Sequence, residues 1–284
     1  MNVFPFFFGC LNIFLYLAAG YRSSWLGNMI KYLKFAAIMK NEKVVIIPTY
    51  NERENIERMI QKVLSLEDNF FVLIIDDGSP DGTAQIVKNL QQTFPERLHL
   101  IERSGKLGLG SAYVTGFKWA LDHNYEYIFE MDADFSHNPE DLPKLFNACL
   151  EEADMSIGSR YCNGISVVNW PLKRVIMSYF ASKYVRSILG MHIYDTTAGF
   201  VCYKREVLEK INFDRMKMKG YGFQIEMKYN TYKLGYKIIE VPIIFIDRTL
   251  GSSKMSSSIF GEAFWGVLQL RFRKIRPIVA KPKL

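Results

Sequence analysis

Three polar clusters interrupt the apolar runs of this 284-residue chain. Pro48-Thr49-Tyr50-Asn51-Glu52 follows VVII, Asp76-Asp77-Gly78-Ser79-Pro80-Asp81-Gly82-Thr83 follows FVLII, and Asp132-Ala133-Asp134 follows YIFEM. The last cluster sets two carboxylates at i and i+2, so in an extended segment both point to one side, and the small Ala133 leaves room for a ligand. Hard oxygen donors at that spacing suit Mg2+ or Mn2+ bridged to a diphosphate, where the cation neutralises charge on a leaving group. The Asp76-Asp77 cluster also reads as turn chemistry, with Asp81 or Thr83 capping a helix. Two acidic pairs at the ends of neighbouring parallel strands nevertheless repel, and a cation or a base-pairing ligand would offset that cost.

The elements that must position these clusters are legible from periodicity. Short apolar runs at 44–49, 70–76, 98–101, 126–132 and 154–157 alternate with amphipathic stretches at 54–66, 83–94, 109–123 and 139–152. A βαβα order predicts a mostly parallel, Rossmann-like sheet covered by helices on both faces, with ligands beyond the carboxyl ends of its strands. After residue 160 the pattern loosens into a helix at 171–189, a short strand at 198–204, a helix at 223–234 and a strand at 237–247. No GxxxxGK[ST] phosphate loop is present, and Gly105-Lys106-Leu107-Gly108-Leu109-Gly110 does not follow a strand as a dinucleotide fingerprint must, which removes P-loop kinase and dehydrogenase readings. That segment opens a helix, and it reads either as an anion-facing amide turn or as a plain turn.

Charge sorts along the chain. The net +7 divides into +4 over residues 1–40, −11 over 41–158, +8 over 159–270 and +6 over 271–284. This pattern points to a cation on the acidic half and anions on the basic half, and away from nucleic acid. Cys10, Cys149, Cys162 and Cys202 show no metal-ligand spacing and read as reduced small residues. Val3 to Ala19 is nearly all apolar and reads either as a membrane anchor or as a stretch ahead of the true start near Met39. Residues 259–284 join an apolar stretch holding Phe264 and Trp265 to a basic run from Arg271 to Arg276. They read as an interfacial helix on an anionic membrane or, alternatively, as a core-packing helix. The organisation expected is residues 1–40 as a hydrophobic segment, 41–258 as the catalytic domain and 259–284 as the basic C-terminal helix and tail.

PTYNE, DDGSPDGT, RSGKLGLGSAYVTG and MDADFSHNP together resemble the family 2 glycosyltransferases of GT-A fold, and more narrowly the dolichyl- or polyprenyl-phosphate mannosyltransferases. The match runs from about Val44 to Ser258. Its more specific parts are GLGSAYVTG, Gly158-Ser159-Arg160-Tyr161, Lys173-Arg174 with Ser178, Gly222-Phe223-Gln224-Ile225-Glu226, and Glu240-Val241-Pro242 leading to Arg248 and Gly251-Ser252-Ser253-Lys254. The resemblance implies that Pro48, Tyr50, Glu52 and Asp77 hold the nucleoside of GDP-mannose, with Lys106 and Ala133 also on the donor side. It implies that Asp132 and Asp134 take the metal and the diphosphate, and that Arg248 and Lys254 close over that diphosphate. Arg160, Arg174 and Ser178 would grip the phosphate of a dolichyl or other polyprenyl phosphate. The pattern departs at Ser136, where some relatives carry a further metal ligand, often Gln.

A mannosyltransferase of this kind would work at the cytoplasmic face of a membrane, with a membrane-anchoring subunit as a further partner. Because its acceptor is already an anion, with a second phosphate pKa of about 6, it needs no general base. A single in-line attack would invert the anomeric centre. The alternatives are glucosyl or N-acetylglucosaminyl transfer from a UDP-sugar to the same lipid phosphate, a non-catalytic membrane subunit of the same fold, and a nucleotidyltransferase.

Overall fold

The computed structural model describes residues 43–218, 220–247, 258–275 and 277. Arg248, Lys254 and the apolar segment before residue 40 lie outside the described residues.

Strand β1 (Lys43–Thr49) is an apolar run whose Val44 to Ile47 are completely buried, as a strand covered on both faces must be. Helix α1 (Ile56–Leu64), strand β2 (Phe71–Asp76), helix α2 (Thr83–Gln91), strand β3 (Leu98–Glu102), helix α3 (Leu109–Asp122) and strand β4 (Tyr127–Glu130) continue the alternation. A 3-10 turn at Pro139–Asp141 leads into α4 (Leu142–Glu151), followed by β5 (Met155–Ser159), β6 (Val167–Val168) and α5 (Leu172–Leu189). Then come β7 (Val201–Lys204), α6 (Arg205–Lys210), α7 (Tyr221–Lys233), β8 (Ile238–Pro242), β9 (Phe245–Ile246) and α8 (Ser258–Phe272).

Among the described residues seven strands form one sheet in the order β3-β2-β1-β4-β7-β5-β8, and β6 pairs with β9 in a separate ribbon. Every pairing is parallel except those of β7 with β4 and β5. Period-two alternation along β1 sends Val44 and Ile46 into a core shared with α3 and α7, and Val45 and Ile47 into one shared with α1 and α4. The chain winds outward from β1 to β3 and then returns to β1's other edge as β4. The topological switch point therefore lies between β1 and β4, where a crevice opens beyond the strand ends.

Three details differ from the sequence reading. The two acidic pairs are not on neighbouring strands, because β1 separates β2 from β4. Strand β4 stops at Glu130, so Asp132 to Asp134 lie past its end, and Phe135 turns the chain with φ of 60°. The expected strand at 237–247 is broken after Pro242, and its second part joins β6. Among the described residues no helix is long and apolar enough to cross a membrane, and Cys149, Cys162 and Cys202 are free thiols.

The GLGSAYVTG segment has a packing role. A Cβ on Gly116 would stand 2.6 Å from Ile46 Cγ2, and one on Gly110 would stand 2.8 Å from Phe223 Cδ2. Only bare backbone lets α3 lie this close to β1 and α7. Gly116→Ala should therefore destabilise the protein by about 1–3 kcal/mol through overpacking, read as a lower urea midpoint with an unchanged slope.

Candidate active site

The loops after β1 and β2 clasp each other. Thr49 Oγ1 donates to Asp76 Oδ2 at 2.9 Å, and the Asp77 N–H donates to the Thr49 carbonyl. Beyond them the N–H groups of Asn51, Glu52 and Arg53 donate to Ser79 Oγ, Thr83 Oγ1 and Asp81 Oδ2. Asp76 also accepts from the Ser79 N–H and hydroxyl, and Asp77 accepts from Arg103 Nε at 2.6 Å and from the Leu107 N–H. Protein donors thus offset the repulsion of this acidic pair, a task the sequence reading gave to a cation or ligand. The clasp sets Pro48, Tyr50 and Glu52 beside Asp77, and Lys106 stands 5.0 Å from the centroid of the Tyr50 ring. Of the nucleoside candidates, Asp77 is thus already engaged by Arg103 within the protein.

Asp132 and Asp134 occupy different environments, contrary to the expectation for an extended segment. The Asp132 side chain is 41% exposed and lines a cleft, whereas Asp134 is 8% exposed. The Ser136 N–H and hydroxyl both donate to Asp134 Oδ1, at 3.1 and 2.6 Å, so the residue that departs from the family pattern fixes one carboxylate. His137 fixes the other side, because the Asp132 N–H donates to its Nδ1 at 3.3 Å. Its ring stacks on Phe200 and meets Phe245 edge-on. Burial holds the His137 pKa well below the ordinary imidazole range, so the ring is neutral near pH 7.

The GSRY segment ends β5 and ties four elements together. Ser159 Oγ donates to Glu240 on β8 at 2.6 Å, and Tyr161 donates its hydroxyl proton to Ser178 of α5 at 2.7 Å. Arg160 is buried, and its Nε and Nη2 each reach an Asp195 oxygen at 2.6 Å, while Nη2 also donates to Thr197. Burial alone would lower the Arg160 pKa, but the Asp195 carboxylate more than offsets it, and the guanidinium stays charged. Glu240 in turn accepts from the Tyr194 and Asp195 N–H groups. Arg174, near the start of α5, donates from Nη1 to both oxygens of Asp247 at 2.9 Å and lies 4.0 Å from the Trp170 ring centroid.

Under this surface a carboxyl and an amine are buried without touching each other. Gln224 Nε2 donates to Glu130 Oε2 at 2.6 Å, and Lys228 Nζ donates to the Ala198 carbonyl at 2.6 Å. Burial pushes the Glu130 pKa up and the Lys228 pKa down. One cleft is lined by Asp132, His137, Arg160, Trp170, Arg174 and Gln224. Asp132 and both candidate phosphate-binding arginines therefore meet there, with Ser178 reached through Tyr161. No role falls to His137 from the sequence, although it lies inside MDADFSHNP, and Trp170, Asp195, Lys228 and Asp247 are not singled out there. A lone buried charge carries no local signature, although Trp170 and Asp247 flank motifs that were read.

Among the described residues no group of three or more His, Cys, Asp and Glu side chains surrounds a metal position. Asp132, which lines the cleft, is a donor of the kind that suits Mg2+ or Mn2+, since such ions take as few as one protein carboxylate and complete their shell with phosphate oxygens and water, whereas Asp134 is buried with Oδ1 held by Ser136.

Residues 44–212 match the model of glycosyl transferase family 2. The chain is 46% identical over 230 residues to the polyprenol monophosphomannose synthase of Mycolicibacterium smegmatis, covering 81% of this chain and 87% of that one. It is 43% identical over 229 residues to the undecaprenyl-phosphate mannosyltransferase of Micrococcus luteus, covering 79% and 93%. Among solved structures, glucosyl-3-phosphoglycerate synthase from Mycobacterium tuberculosis in complex with phosphoglyceric acid superposes with a TM-score of 0.59 at 19% identity, over 83% of this chain and 81% of that one. The same synthase with Mn2+, UDP-glucose and phosphoglyceric acid gives 0.57 at 18%, over 81% of each chain. At these identities the structural likeness speaks for the fold alone.

Removing the Asp195 charge leaves Arg160 buried without its counter-ion. Asp195→Asn should cost about 3–5 kcal/mol at pH 7 by chemical denaturation. Burial opposes the Asp195 charge, but Arg160 overrides it, so its folded pKa lies below the ordinary 3.8. The stabilisation is therefore complete above the unfolded pKa and is lost as pH falls through the folded one. The gap between wild type and variant should narrow only below about pH 4.

Proposed function

The chain belongs to glycosyl transferase family 2, and from that premise we propose that it transfers mannose from GDP-mannose to a polyprenyl phosphate, with inversion, releasing GDP. The observation that carries this reading is the single cleft in which Asp132 faces Arg160 and Arg174. A carboxylate suits the metal-bound diphosphate of a donor, and guanidinium groups suit a phosphate acceptor. The names of the relatives from M. smegmatis and M. luteus support the same acceptor and sugar.

On this reading the loops carrying Pro48, Tyr50, Glu52 and Asp77 bind the nucleoside, with Lys106 beside them. Asp132 and Asp134 would hold Mg2+ or Mn2+, which supplies charge neutralisation at the departing diphosphate. Arg248 and Lys254 are proposed to add positive charge at the same group. Arg160 and Arg174 aim the acceptor oxygen at the anomeric carbon from the face opposite the leaving group. A prenyl phosphate brings its own negative oxygen, so no side chain has to remove a proton. Catalysis is then positioning and electrostatics.

The lipid tail needs an apolar approach. Leu172, Ile176 and Phe180 on α5 are exposed, as are Phe264 and Trp265 on α8, with Trp265 at 65%. Helix α8 is held to the body by buried Val267 and Leu270, so it packs on one side and presents aromatic rings on another. The exposed rings support a membrane-surface role, and we propose that it is exercised at the cytoplasmic face, alone or with an anchoring subunit.

Purified protein given GDP-mannose, Mg2+ or Mn2+ and a prenyl phosphate should release GDP and form a β-mannosyl phosphate lipid, read by NMR of the anomeric centre. A preference for UDP-glucose in the same assay would overturn the donor assignment. Asp132→Ala should lower turnover about 10²–10³-fold or more with an unchanged melting temperature; undiminished turnover would remove Asp132 from the site. Replacing Phe264 and Trp265 together by Ala should weaken co-sedimentation with phosphatidylglycerol vesicles while leaving GDP affinity unchanged.

A further inference from the structure

Among the described residues three buried side-chain polar atoms have no hydrogen-bond partner: the hydroxyls of Tyr113 and Tyr229 and the indole Nε1 of Trp170. A buried donor without an acceptor is costly and calls for an explanation. Of the three residues only Trp170 lines the cleft. Its ring is also the common neighbour of the two cleft arginines, with the Arg174 guanidinium carbon 4.0 Å and that of Arg160 5.4 Å from its centroid. Phe245, which packs edge-on against Trp170, carries the same ring stack on to His137 and hence to the backbone of Asp132.

An aromatic face orders guanidinium groups through its quadrupole and its flat area. Here that face spans two arginines on different elements, one ending β5 and one opening α5. Each already has a carboxylate partner, Asp195 or Asp247, so what they share is the indole. A phosphate monoester entering between them meets two cations, and the ring that borders the same cleft carries a buried N–H with no acceptor. An indole N–H only donates, and a phosphate oxygen only accepts here, so the two are complementary.

We infer that Trp170 is an acceptor-binding residue: its ring holds Arg160 and Arg174 in register, and its N–H supplies a third hydrogen bond to the phosphate group that enters the cleft. The inference rests on reading this cleft as the acceptor-phosphate site, and it is indifferent to which sugar is transferred. Neither Tyr113 nor Tyr229 competes for this role, since neither lines the cleft.

The test uses the full chain in detergent micelles with its tryptophans labelled with 15N at the indole. The Trp170 signal is assigned by its loss in Trp170→Phe. Adding farnesyl phosphate should move that signal downfield. An equal movement with inorganic phosphate also supports the inference and assigns recognition to the phosphate itself, while movement with farnesyl phosphate alone supports it and adds the prenyl chain. Trp170→Phe keeps a ring beside the arginines but lacks the N–H, and should raise the KM, or the titrated Kd, for farnesyl phosphate about tenfold or more with GDP affinity unchanged. A signal unmoved by either phosphate in a protein that transfers mannose overturns the role of Trp170 and leaves the proposed function standing. A moved signal in a protein that transfers no mannose supports the phosphate site and removes the donor assignment instead. A Trp170→Phe variant with wild-type affinity for farnesyl phosphate also overturns the inference.

Discussion

The buried pair of Arg160 and Asp195 is the constraint around which the cleft is arranged. Two charges taken out of water are tolerable only with close geometry and further hydrogen bonds on the remaining atoms. The surroundings supply both. The fork of Arg160 meets both Asp195 oxygens, Thr197 takes another guanidinium proton, and the Arg160 N–H also points at Asp195. Glu240 then holds the backbone that carries Asp195 and the hydroxyl that precedes Arg160. The end of β5, the end of β8 and the loop at residues 194–197 are thereby fixed to one another before any ligand arrives.

The second constraint is topological. The crevice at the switch point exists because β4 returns to the free edge of β1, and the donor candidates Pro48, Tyr50, Glu52, Asp77, Asp132 and Asp134 follow β1, β2 and β4, with Lys106 on the loop after β3. The loops after β1 and β2 hold each other for a local reason: Ser79 Oγ, Asp81 Oδ2 and Thr83 Oγ1 each accept an N–H from the loop after β1. The acidic first half of the chain supplies this side, and the second half closes the crevice with α5, α7 and the β6–β9 ribbon. Beneath the join, Glu130 of β4 reaches Gln224 of α7, so the two halves are wired together by a buried hydrogen bond.

The alternation of strands and helices through residue 159 was legible because a parallel sheet buried on both faces writes itself as continuous apolar runs, while the covering helices write a 3.6-residue period. The candidate site was legible as far as strand ends go, since Asp132, Arg160 and Arg174 do share a cleft. What sequence could not show was pairing. The +8 block suggested arginines awaiting anions, yet Asp195 and Asp247, from the same block, already lie against Arg160 and Arg174. The Asp76-Asp77 repulsion is likewise met by Arg103 and by hydroxyls. Partners brought together over 26 to 73 residues of chain leave no periodic trace, and the side-by-side order of β2 and β4 was misjudged because strand order is set by crossovers, not by sequence order. GLGSAYVTG belongs to the motifs that carry the family resemblance, and within it Gly110 and Gly116 provide clearance for Phe223 and Ile46.

The two arginines of the cleft differ in what they can give up. Arg160 is shut in with a fully buried carboxylate, and breaking that pair strands two charges in a medium that solvates neither. Arg174 is 39% exposed and Asp247 is 26% exposed, and an ion pair open to water to that degree holds only weakly. Exchange of Asp247 for another anion at Arg174 therefore costs little, whereas exchange of Asp195 at Arg160 does not. On the proposed acceptor reading, Arg160 would act as a fixed positive field, oriented once by folding, and Arg174 as the adjustable contact, with the Trp170 ring beside both guanidinium groups. A phosphate with two negative oxygens can use both at once: it takes over one partner outright and lies in the field of the other. The carboxylate of Asp195 partly cancels that field, which on the proposed reading would leave the acceptor oxygen with more of its nucleophilicity than two unpaired guanidinium groups would.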